Sequence, residues 1–276
     1  MNRNIRLVVA DIDGTLTNNK RILTDVTKKT IDQLMEKGIF FGLASGRCVD
    51  NQVMHYYKEW GFKKQFDILI GMNGAQLYDG INNKRYDYHS LSKEDVREIC
   101  ELVKPLDVNP FVYDDGNMVC LKEDEATVAS SSRNEMPFIV SPDGSLIFNK
   151  DRPKLMIRVD EDKMEALEKY IEENKKEKAT YRTVKTQRTM LEFIDYRTNK
   201  GDALVNFCQL NNIDLKDVMT FGDISNDNEL LEVAGVGVCM INGSDETKAY
   251  ADDITEKSND EDGFAHYLQE KVLKYR

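Results

Sequence analysis

Two acidic residues stand two positions apart directly after an apolar run near the start of the chain. The run Ile5–Ala10 is rich in β-branched residues and predicts a buried strand, and Asp11 and Asp13 follow it at once. Two carboxylates this close to a low-dielectric core cannot both remain unpaired. A divalent cation would resolve the conflict, and magnesium, which prefers hard oxygen ligands, is the natural choice. Gly14 permits the sharp turn that such a loop needs.

Three later segments carry residue types that suit a phosphate group or complete a metal shell. Ser45 and Gly46 follow a second apolar run, where a hydroxyl and backbone N–H groups at a helix start form a phosphate cradle. Lys200 opens a predicted helix, and a lysine beside a phosphoryl group acts as a point charge against the developing anion. Asp223 and Asp227 follow a further strand and supply carboxylates for a metal.

Each cluster alone also has a purely structural interpretation. The acidic pair that begins at Asp11 could form a turn or half of a calcium loop. The EF-hand template, however, would put Leu16 at its glycine position and Ile22 at its final glutamate position. Ser45 followed by glycine is more typical of a helix cap, and Lys200 of a surface lysine. The joint order of the clusters at successive strand ends favours the functional interpretation.

The predicted order of strands and helices determines where these clusters lie in the fold. In the first part of the chain the apolar patterns predict strands at Ile5–Ala10, Ile39–Ala44 and Asp67–Ile70, and helices at Thr24–Lys37 and Val49–Trp60. The same alternation returns near the end, with helices at Lys200–Leu210, Asn226–Val233 and Gly263–Leu273 and strands at Val218–Phe221 and Val236–Met240. This order predicts an α/β fold with a doubly wound parallel sheet, whose ligands bind at the carboxyl ends of the strands.

The pattern between these two halves is different. Hairpins are predicted at Gln76–Tyr88, Phe111–Leu121 and Tyr181–Ile194. Helices are predicted at Ser92–Lys104 and Lys163–Lys175, and one strand at Leu155–Val159. Ser92 and Asp95 have the spacing of a capping box. We therefore predict a core formed by residues 1–82 and 196–276, and an α+β domain inserted at 83–195.

The composition limits the class of partner and compartment. The chain has 276 residues, 41% of them hydrophobic, and a formal net charge of -11. This charge argues against nucleic acid or an anionic membrane as a partner, because both would be repelled at long range. Five scattered cysteines are typical of reduced thiols, and the apolar run Leu7–Ala10 is too short for a signal peptide or membrane span. We expect a cytoplasmic protein, with an oligomeric state that the sequence does not indicate.

Taken together, the clusters resemble the four motifs of the haloacid dehalogenase (HAD) superfamily, over nearly the whole chain. Asp-x-Asp-Gly-Thr-Leu, Ser-Gly-Arg, Lys-Gly and Gly-Asp-x-x-Asn-Asp stand in the family's order. The insertion lies between the second and third motifs, as in the Cof-type branch with a large α/β cap. Asn73-Gly74-Ala75 and Asp262-Gly263-Phe264-Ala265 fit the same branch. The resemblance implies a Rossmann-like HAD core, with a cap domain that governs access to the substrate.

The resemblance also implies a reaction and roles for single residues. It implies a magnesium-dependent phosphatase for small phosphomonoesters, such as sugar phosphates or cofactor phosphates. Asp11 would attack phosphorus and form an aspartyl-phosphate. Asp13, held in place by Thr15, would protonate the leaving oxygen and later deprotonate the attacking water.

Binding roles are implied for a further group of residues. Phosphate oxygens would be bound by Ser45, Lys200, Asn226 and the backbone N–H groups of Ile12 and Gly46. Magnesium would be held by the carboxylates of Asp11 and Asp223 and the backbone carbonyl of Asp13, with Asp227 behind these direct ligands or coordinating the metal through water. Candidates for choosing the substrate are Arg47 and the polar positions of the segment 181–188. Asn242 is transferred only weakly, since Gly243 follows it where relatives often carry alanine.

Two other functions are compatible with these motifs. A phosphomutase would use the same groups to return the phosphoryl group to a bound sugar. A catalytically silent relative would bind a small ligand without turning it over. The intact set of Asp11, Asp13, Lys200 and Asp223 argues against the silent relative, which would have no chemical need for all four.

Overall fold

The structure is a computed structural model that describes residues 4–50, 52–134 and 136–275. The chain divides into two compact units. The first unit contains the chain up to Tyr88 and from Thr198 onward, and the second is His89–Arg197. Within the described ranges, no helix is both long enough and apolar enough to cross a membrane.

The elements of the first segment agree closely with the predicted pattern. They are β1 (Leu7–Ala10), α1 (Asp25–Glu36), β2 (Phe40–Ala44), α2 (Tyr56–Glu59), β3 (Ile68–Gly71), β4 (Gln76–Asp79) and β5 (Lys84–Asp87). Those of the second unit are α3 (Lys93–Val103), β6 (Phe111–Asp114), β7 (Asn117–Cys120), α4 (Glu125–Asn134), β8 (Phe138–Val140), β9 (Leu155–Arg158), α5 (Glu161–Asn174), β10 (Tyr181–Gln187) and β11 (Met190–Asp195). The chain then returns to the first unit with α6 (Lys200–Leu210), β12 (Val218–Gly222), α7 (Asn228–Val233), β13 (Val236–Cys239), α8 (Asp245–Lys248), β14 (Asp253–Ile254) and α9 (Gly263–Lys271).

The sheet of the first unit has the strand order β14-β13-β12-β1-β2-β3-β4-β5. The strands from β14 to β3 are parallel, and β4 and β5 extend the sheet as antiparallel strands. Helices cover both faces: α1 and α9 pack on one through Ile31, Leu34 and Phe264, and α6 on the other through Leu204 and Phe207. The predicted doubly wound α/β core is therefore confirmed.

Burial explains why these segments form central strands. All four residues of β1 are buried, as parallel strands covered on both faces require. The side chain of Thr24 caps α1 by accepting a hydrogen bond from the N–H of Thr27 at 3.1 Å. Phe41 and Phe221 meet Phe264 of α9 edge-on, with ring centroids 6.3 and 4.7 Å apart. Helix α9 is thereby packed on β2 and β12, the strands that lead into the loops at Ser45 and Asp223.

The second unit is a six-stranded sheet in the order β10-β11-β9-β6-β7-β8. Its neighbouring strands are antiparallel except for β7 and β8. Helices α3 and α5 pack on the same cluster of apolar side chains, through residues such as Ile99 and Leu167. The predicted capping box of Ser92 and Asp95 is confirmed, with both of its hydrogen bonds present.

Two parts of the chain differ from the pattern. The helix predicted at Val49–Trp60 is wrong as a continuous element: a 3₁₀ turn at Val53–His55 leads into the single turn α2. At the start of this segment the N–H of Val49 donates to the side-chain oxygen of Gln76 at 2.9 Å. Helix α4 and strand β8 were not predicted, since α4 has a serine-rich sequence without an apolar period and β8 is only three residues long.

Phe207 and Leu210 of α6 provide a matched test of the core. Phe207 is fully buried, whereas Leu210 is 45% exposed. We expect Phe207→Ala to lower the free energy of unfolding of the first unit by about 3–5 kcal/mol, and Leu210→Ala to change it by less than about 0.5 kcal/mol. Urea unfolding followed by the fluorescence of Trp60, the single tryptophan, measures both. Equal losses in the two variants would contradict this account of the core.

Candidate active site

Strand order brings the polar clusters to one edge of the sheet. Strand β1 lies between β12 and β2, so Asp11, Ser45 and Asp223 follow three adjacent parallel strands. The N–H of Asp11 continues the ladder by donating to Phe221 at 3.0 Å. The chain continues from β1 to β2 on one side of β1, whereas β12 lies on its other side. Open parallel sheets bind their ligands at such a point, where the strand order reverses.

A tight turn carries the chain away from Asp11. The carbonyl of Ile12 accepts hydrogen bonds from the N–H groups of Leu16 at 3.1 Å and Thr17 at 2.9 Å. Gly14 has φ +84°, and a Cβ atom there would lie 2.4 Å from the Asp223 carboxylate. Only glycine fits this position, because it tolerates the positive φ and lets the loop pack directly on Asp223.

The side chain of Lys200 lies at the centre of the site and is fully buried. It extends from the first residue of α6, whose start is capped by Asn199 accepting from the N–H of Asp202 at 2.7 Å. Its Nζ donates to Oδ1 of Asp11 and to Oδ1 of Asp227, both at 2.6 Å. The interpretation as a surface lysine is therefore excluded.

Asp223 is held by neighbours on both sides. Its backbone N–H donates to Oδ2 of Asp227 at 3.0 Å, and the hydroxyl of Thr15 donates to its Oδ1 at 3.0 Å. The resemblance implied that Thr15 would hold Asp13. The hydroxyl binds Asp223 instead, because the turn at Gly14 packs against that carboxylate.

Asn73 joins the residues predicted to bind phosphate. Its backbone N–H donates to the carbonyl of Ser45 at 3.1 Å, and its side-chain oxygen accepts from Asn226 at 3.2 Å. Gly46 lies against the same amide. The structure thus brings Ser45, Gly46 and Asn226 together around Asn73, a residue that the sequence indicated only as a feature of the Cof-type branch.

Asp13 lies apart from the buried carboxylates and is half exposed. Arg47 donates from Nη2 to its two oxygens at 2.7 and 2.5 Å, and Nε of Arg21 is 3.9 Å away. The guanidinium of Arg47 also bonds the hydroxyl of Tyr56, whose ring stacks on Trp60 at 4.7 Å. Sequence reasoning missed Arg47 as the partner of Asp13. The one available signal was its position next to Ser45-Gly46.

The buried groups perturb one another's ionisation. Burial raises the pKa of Asp11 to about 7; Lys200 opposes this shift and the charge of Asp227 adds to it. Burial, with the charges of Asp11 and Asp227, also raises the pKa of Asp223 well above its ordinary value. Burial lowers the pKa of Lys200, but the two carboxylates that it contacts outweigh this effect and raise that pKa.

The acidic cluster fits a divalent metal ion. Among the described residues, Asp11, Asp223 and Asp227 have carboxylate oxygens that all lie within 4.8 Å of one another, and all three are buried. When all three carboxylates are ionised, as metal ligation requires, the single ammonium of Lys200 leaves two negative charges in excess. Oxygen ligands with this excess suit Mg²⁺. The carboxylate of Asp13 is not part of the cluster, and its backbone carbonyl as a ligand stays a prediction.

Comparison with known proteins agrees with this arrangement of motifs. The family model described as haloacid dehalogenase-like hydrolase matches residues 8–268. The Bacillus subtilis protein YxeH is 28% identical over 271 residues, with 97% of this chain and 98% of the relative covered. A second Bacillus subtilis protein, the 5-amino-6-(5-phospho-D-ribitylamino)uracil phosphatase YitU, is 26% identical over 271 residues, which cover 96% of each chain. The crystal structure of TM0651 from Thermotoga maritima has a TM-score of 0.79 and 26% identity, and covers 96% of this chain and 97% of that chain.

The raised pKa of Asp11 predicts an unusual pH dependence for the metal-free protein. Between about pH 4 and pH 7 the folded state holds a proton on Asp11 that the unfolded state has lost. The free energy of unfolding contributed by Asp11 therefore falls as the pH rises through this window, by on the order of 4 kcal/mol. We expect chelator-treated Asp11→Asn to lack this contribution, so that it gains stability over the wild type at pH 7.5 relative to pH 5. Urea unfolding at the two pH values measures the difference, and an unchanged difference would contradict the raised pKa.

Proposed function

The chain belongs to the haloacid dehalogenase-like hydrolases, and from this premise we propose that it is a magnesium-dependent phosphatase of small phosphomonoesters. The observation that carries the proposal is the contact of Lys200 with Asp11 at 2.6 Å, beside the carboxylates of Asp223 and Asp227. This arrangement supplies a carboxylate nucleophile, a fixed cation and a metal site at one strand end.

Asp11 is the proposed nucleophile. One of its carboxylate oxygens forms a bond to phosphorus while the bond from phosphorus to the leaving oxygen breaks, which gives an aspartyl-phosphate. Asp13 gives a proton to the leaving oxygen in this step. It then takes a proton from the water that attacks phosphorus, and the departure of phosphate restores the Asp11 carboxylate.

The remaining residues bind the phosphoryl group. Lys200 contributes a positive charge whose position is fixed before the substrate arrives, which is the arrangement that stabilises a developing anion best. Ser45, Asn226 and the backbone N–H groups of Ile12 and Gly46 are the proposed partners of the phosphate oxygens. The side-chain amide N–H of Asn226, which now donates to Asn73 at 3.2 Å, is the donor that a phosphate oxygen would need. Its side-chain oxygen is buried without a hydrogen-bond partner among the described residues, so it can accept a hydrogen bond from a ligand hydroxyl or from water.

The proposed metal ligands are Asp11, Asp223, the backbone carbonyl of Asp13, and Asp227 directly or through water. When bound, Mg²⁺ neutralises the repulsion between the Asp11 carboxylate and a phosphate dianion. Asp223 is already oriented by Thr15 and by the backbone of the turn at Gly14. These contacts support Asp223 as a ligand whose position does not depend on the metal.

Small phosphorylated metabolites are the proposed substrate class. The relative YitU is named for a phosphorylated ribitylamino-uracil, and the negative charge of the chain disfavours polyanions. The inserted domain, predicted at 83–195 and compact over His89–Arg197, is the proposed source of substrate selection, together with Arg47. In β10, Lys185 and Gln187 are exposed polar positions that suit this role.

Replacing the nucleophile tests the reaction. We expect p-nitrophenyl phosphate to be hydrolysed only with Mg²⁺, and Asp11→Asn to lose at least about a thousandfold in kcat because no carboxylate remains to attack phosphorus. Asp245→Asn is the matched control, since this aspartate is fully exposed in the same unit. Full activity of Asp11→Asn in chelator would refute the mechanism. Stoichiometric release of phosphate from a panel of phosphorylated metabolites distinguishes a phosphatase from a phosphomutase.

Metal binding can be measured without turnover. We expect Mg²⁺ at about 100 times its dissociation constant to stabilise the protein by roughly 2.7 kcal/mol, seen as a rise in Tm. Asp223→Asn should reduce this rise, because it removes a proposed ligand, whereas Asp245→Asn should not. The same rise in both variants would place the metal elsewhere.

A further inference from the structure

The turn that carries Asp13 is fastened by two asparagines from a distant part of the chain. The side-chain amide of Asn242 donates to the carbonyl of Gly14 at 2.9 Å, and its oxygen accepts from the backbone N–H of Asn259 at 2.9 Å. The side-chain amide of Asn259 donates to the carbonyl of Thr17 at 3.0 Å. We call Asn242 and Asn259 the asparagine brace, since together they hold the residues on the C-terminal side of Asp13.

The chain beyond the turn is held by the residues that follow Asn259. Asp260 accepts from the backbone N–H of Asn19 at 2.8 Å. The carboxylate of Asp262 accepts from the hydroxyl of Thr27 at 3.3 Å, and also from that of Thr24. The brace is therefore anchored to a segment that is itself fixed to the loop and to the start of α1.

The brace reaches Asp13 through the backbone. The backbones of Asp13 and Thr17 pair in an isolated β-bridge, so a fixed Thr17 fixes Asp13. Asn259 is 5% exposed, and its bond to Thr17 satisfies a buried carbonyl that would otherwise lack this donor. Asp13 is itself half exposed, so its position depends on its backbone and on Arg47 rather than on close packing.

We propose that Asn242 and Asn259 are positioning residues, which hold Asp13 where it can give its proton to the leaving oxygen. This inference rests on the proposed function, because it assumes that Asp13 transfers the proton. Neither asparagine need touch the reacting atoms. A general acid must lie within hydrogen-bond reach of the oxygen that it protonates, and a displacement of about 1 Å can cost on the order of a hundredfold in rate.

The leaving group separates this role from a structural one. An alkyl phosphate releases an alkoxide, which needs the proton from Asp13. p-Nitrophenyl phosphate releases a phenolate that is stable as an anion, so its cleavage depends little on the acid. Loss of position at Asp13 therefore slows the alkyl substrate selectively, while general damage to the metal site or the nucleophile slows both.

The experiment compares kcat/KM for glycerol phosphate and p-nitrophenyl phosphate, with Mg²⁺ present. kcat/KM reports the first phosphoryl transfer, in which the leaving group departs. We expect Asn259→Ala and Asn242→Ala to lower it about 10- to 100-fold for glycerol phosphate and less than about threefold for p-nitrophenyl phosphate. Asn242→Asp keeps the acceptor for Asn259 but loses the donor to Gly14, so it should show the same selectivity. Asp13→Asn serves as the reference, with a larger selective loss.

Asn211→Ala is the control for general destabilisation. Asn211 also joins two distant segments of the first unit, since it accepts from Asn82 at 2.9 Å and donates to Asp79 at 3.1 Å. It lies just beyond the far end of α6 from Lys200. We expect this variant to change kcat/KM for the two substrates by the same small factor.

Equal losses on both substrates in folded brace variants, or no loss, would overturn the proposal. Should Asn259→Ala fail to fold, the variants at the exposed Asn242 decide the question. Wild-type protein that releases phosphate from neither substrate would refute the proposed function, and with it this role for the brace.

Discussion

Lys200 places a fully buried ammonium between two carboxylates that come from separate parts of the chain. Asp11 directly follows the central strand β1 and Asp227 directly precedes α7, and each lies 2.6 Å from the same nitrogen. Without that charge, burial would oppose ionisation of both acids. The close seating of α6 depends on Gly74, where a Cβ atom would lie 2.0 Å from the carbonyl of Asn199. The close packing at Gly74 thus contributes to the short distance between the ammonium of Lys200 and the carboxylates that it contacts.

The cluster is not balanced by the protein alone. One ammonium cannot offset three buried carboxylates. Burial raises the pKa of Asp11 to about 7, and the charge of Asp227 adds to this shift while Lys200 opposes it. The nucleophilic role proposed for Asp11 needs its carboxylate ionised, which is the form that burial disfavours. Burial of an ionised carboxylate costs stability. Asp11 stays in place because the surrounding strands fix its position.

Much of this arrangement could be predicted from the sequence, because the motifs are local and the strands are continuous apolar runs. The positions of Asp11, Lys200 and Asp223 followed from strand ends and a helix start. The partners of Asp13 and Thr15 did not, since they depend on where loops from different strands meet. The apolar spacing of Val49–Trp60 also suits a helix, but only a 3₁₀ turn and the single turn α2 form there, and the N–H of Val49 bonds to Gln76 of strand β4. Helix α4 has no apolar period, and its Val128 is 44% exposed.

The strand order has a consequence for synthesis of the protein. Strand β1 pairs with β12 on one side, and between them the ribosome must make the whole of the second unit. At about 5–20 residues per second, β1 waits tens of seconds for that neighbour, while β2 and β3 emerge early and the insertion can fold as a compact body. Lys200 and Asp223 reach Asp11 only after this delay. The acidic cluster and its lysine can therefore assemble only after the segment that ends at Asp227 has been translated.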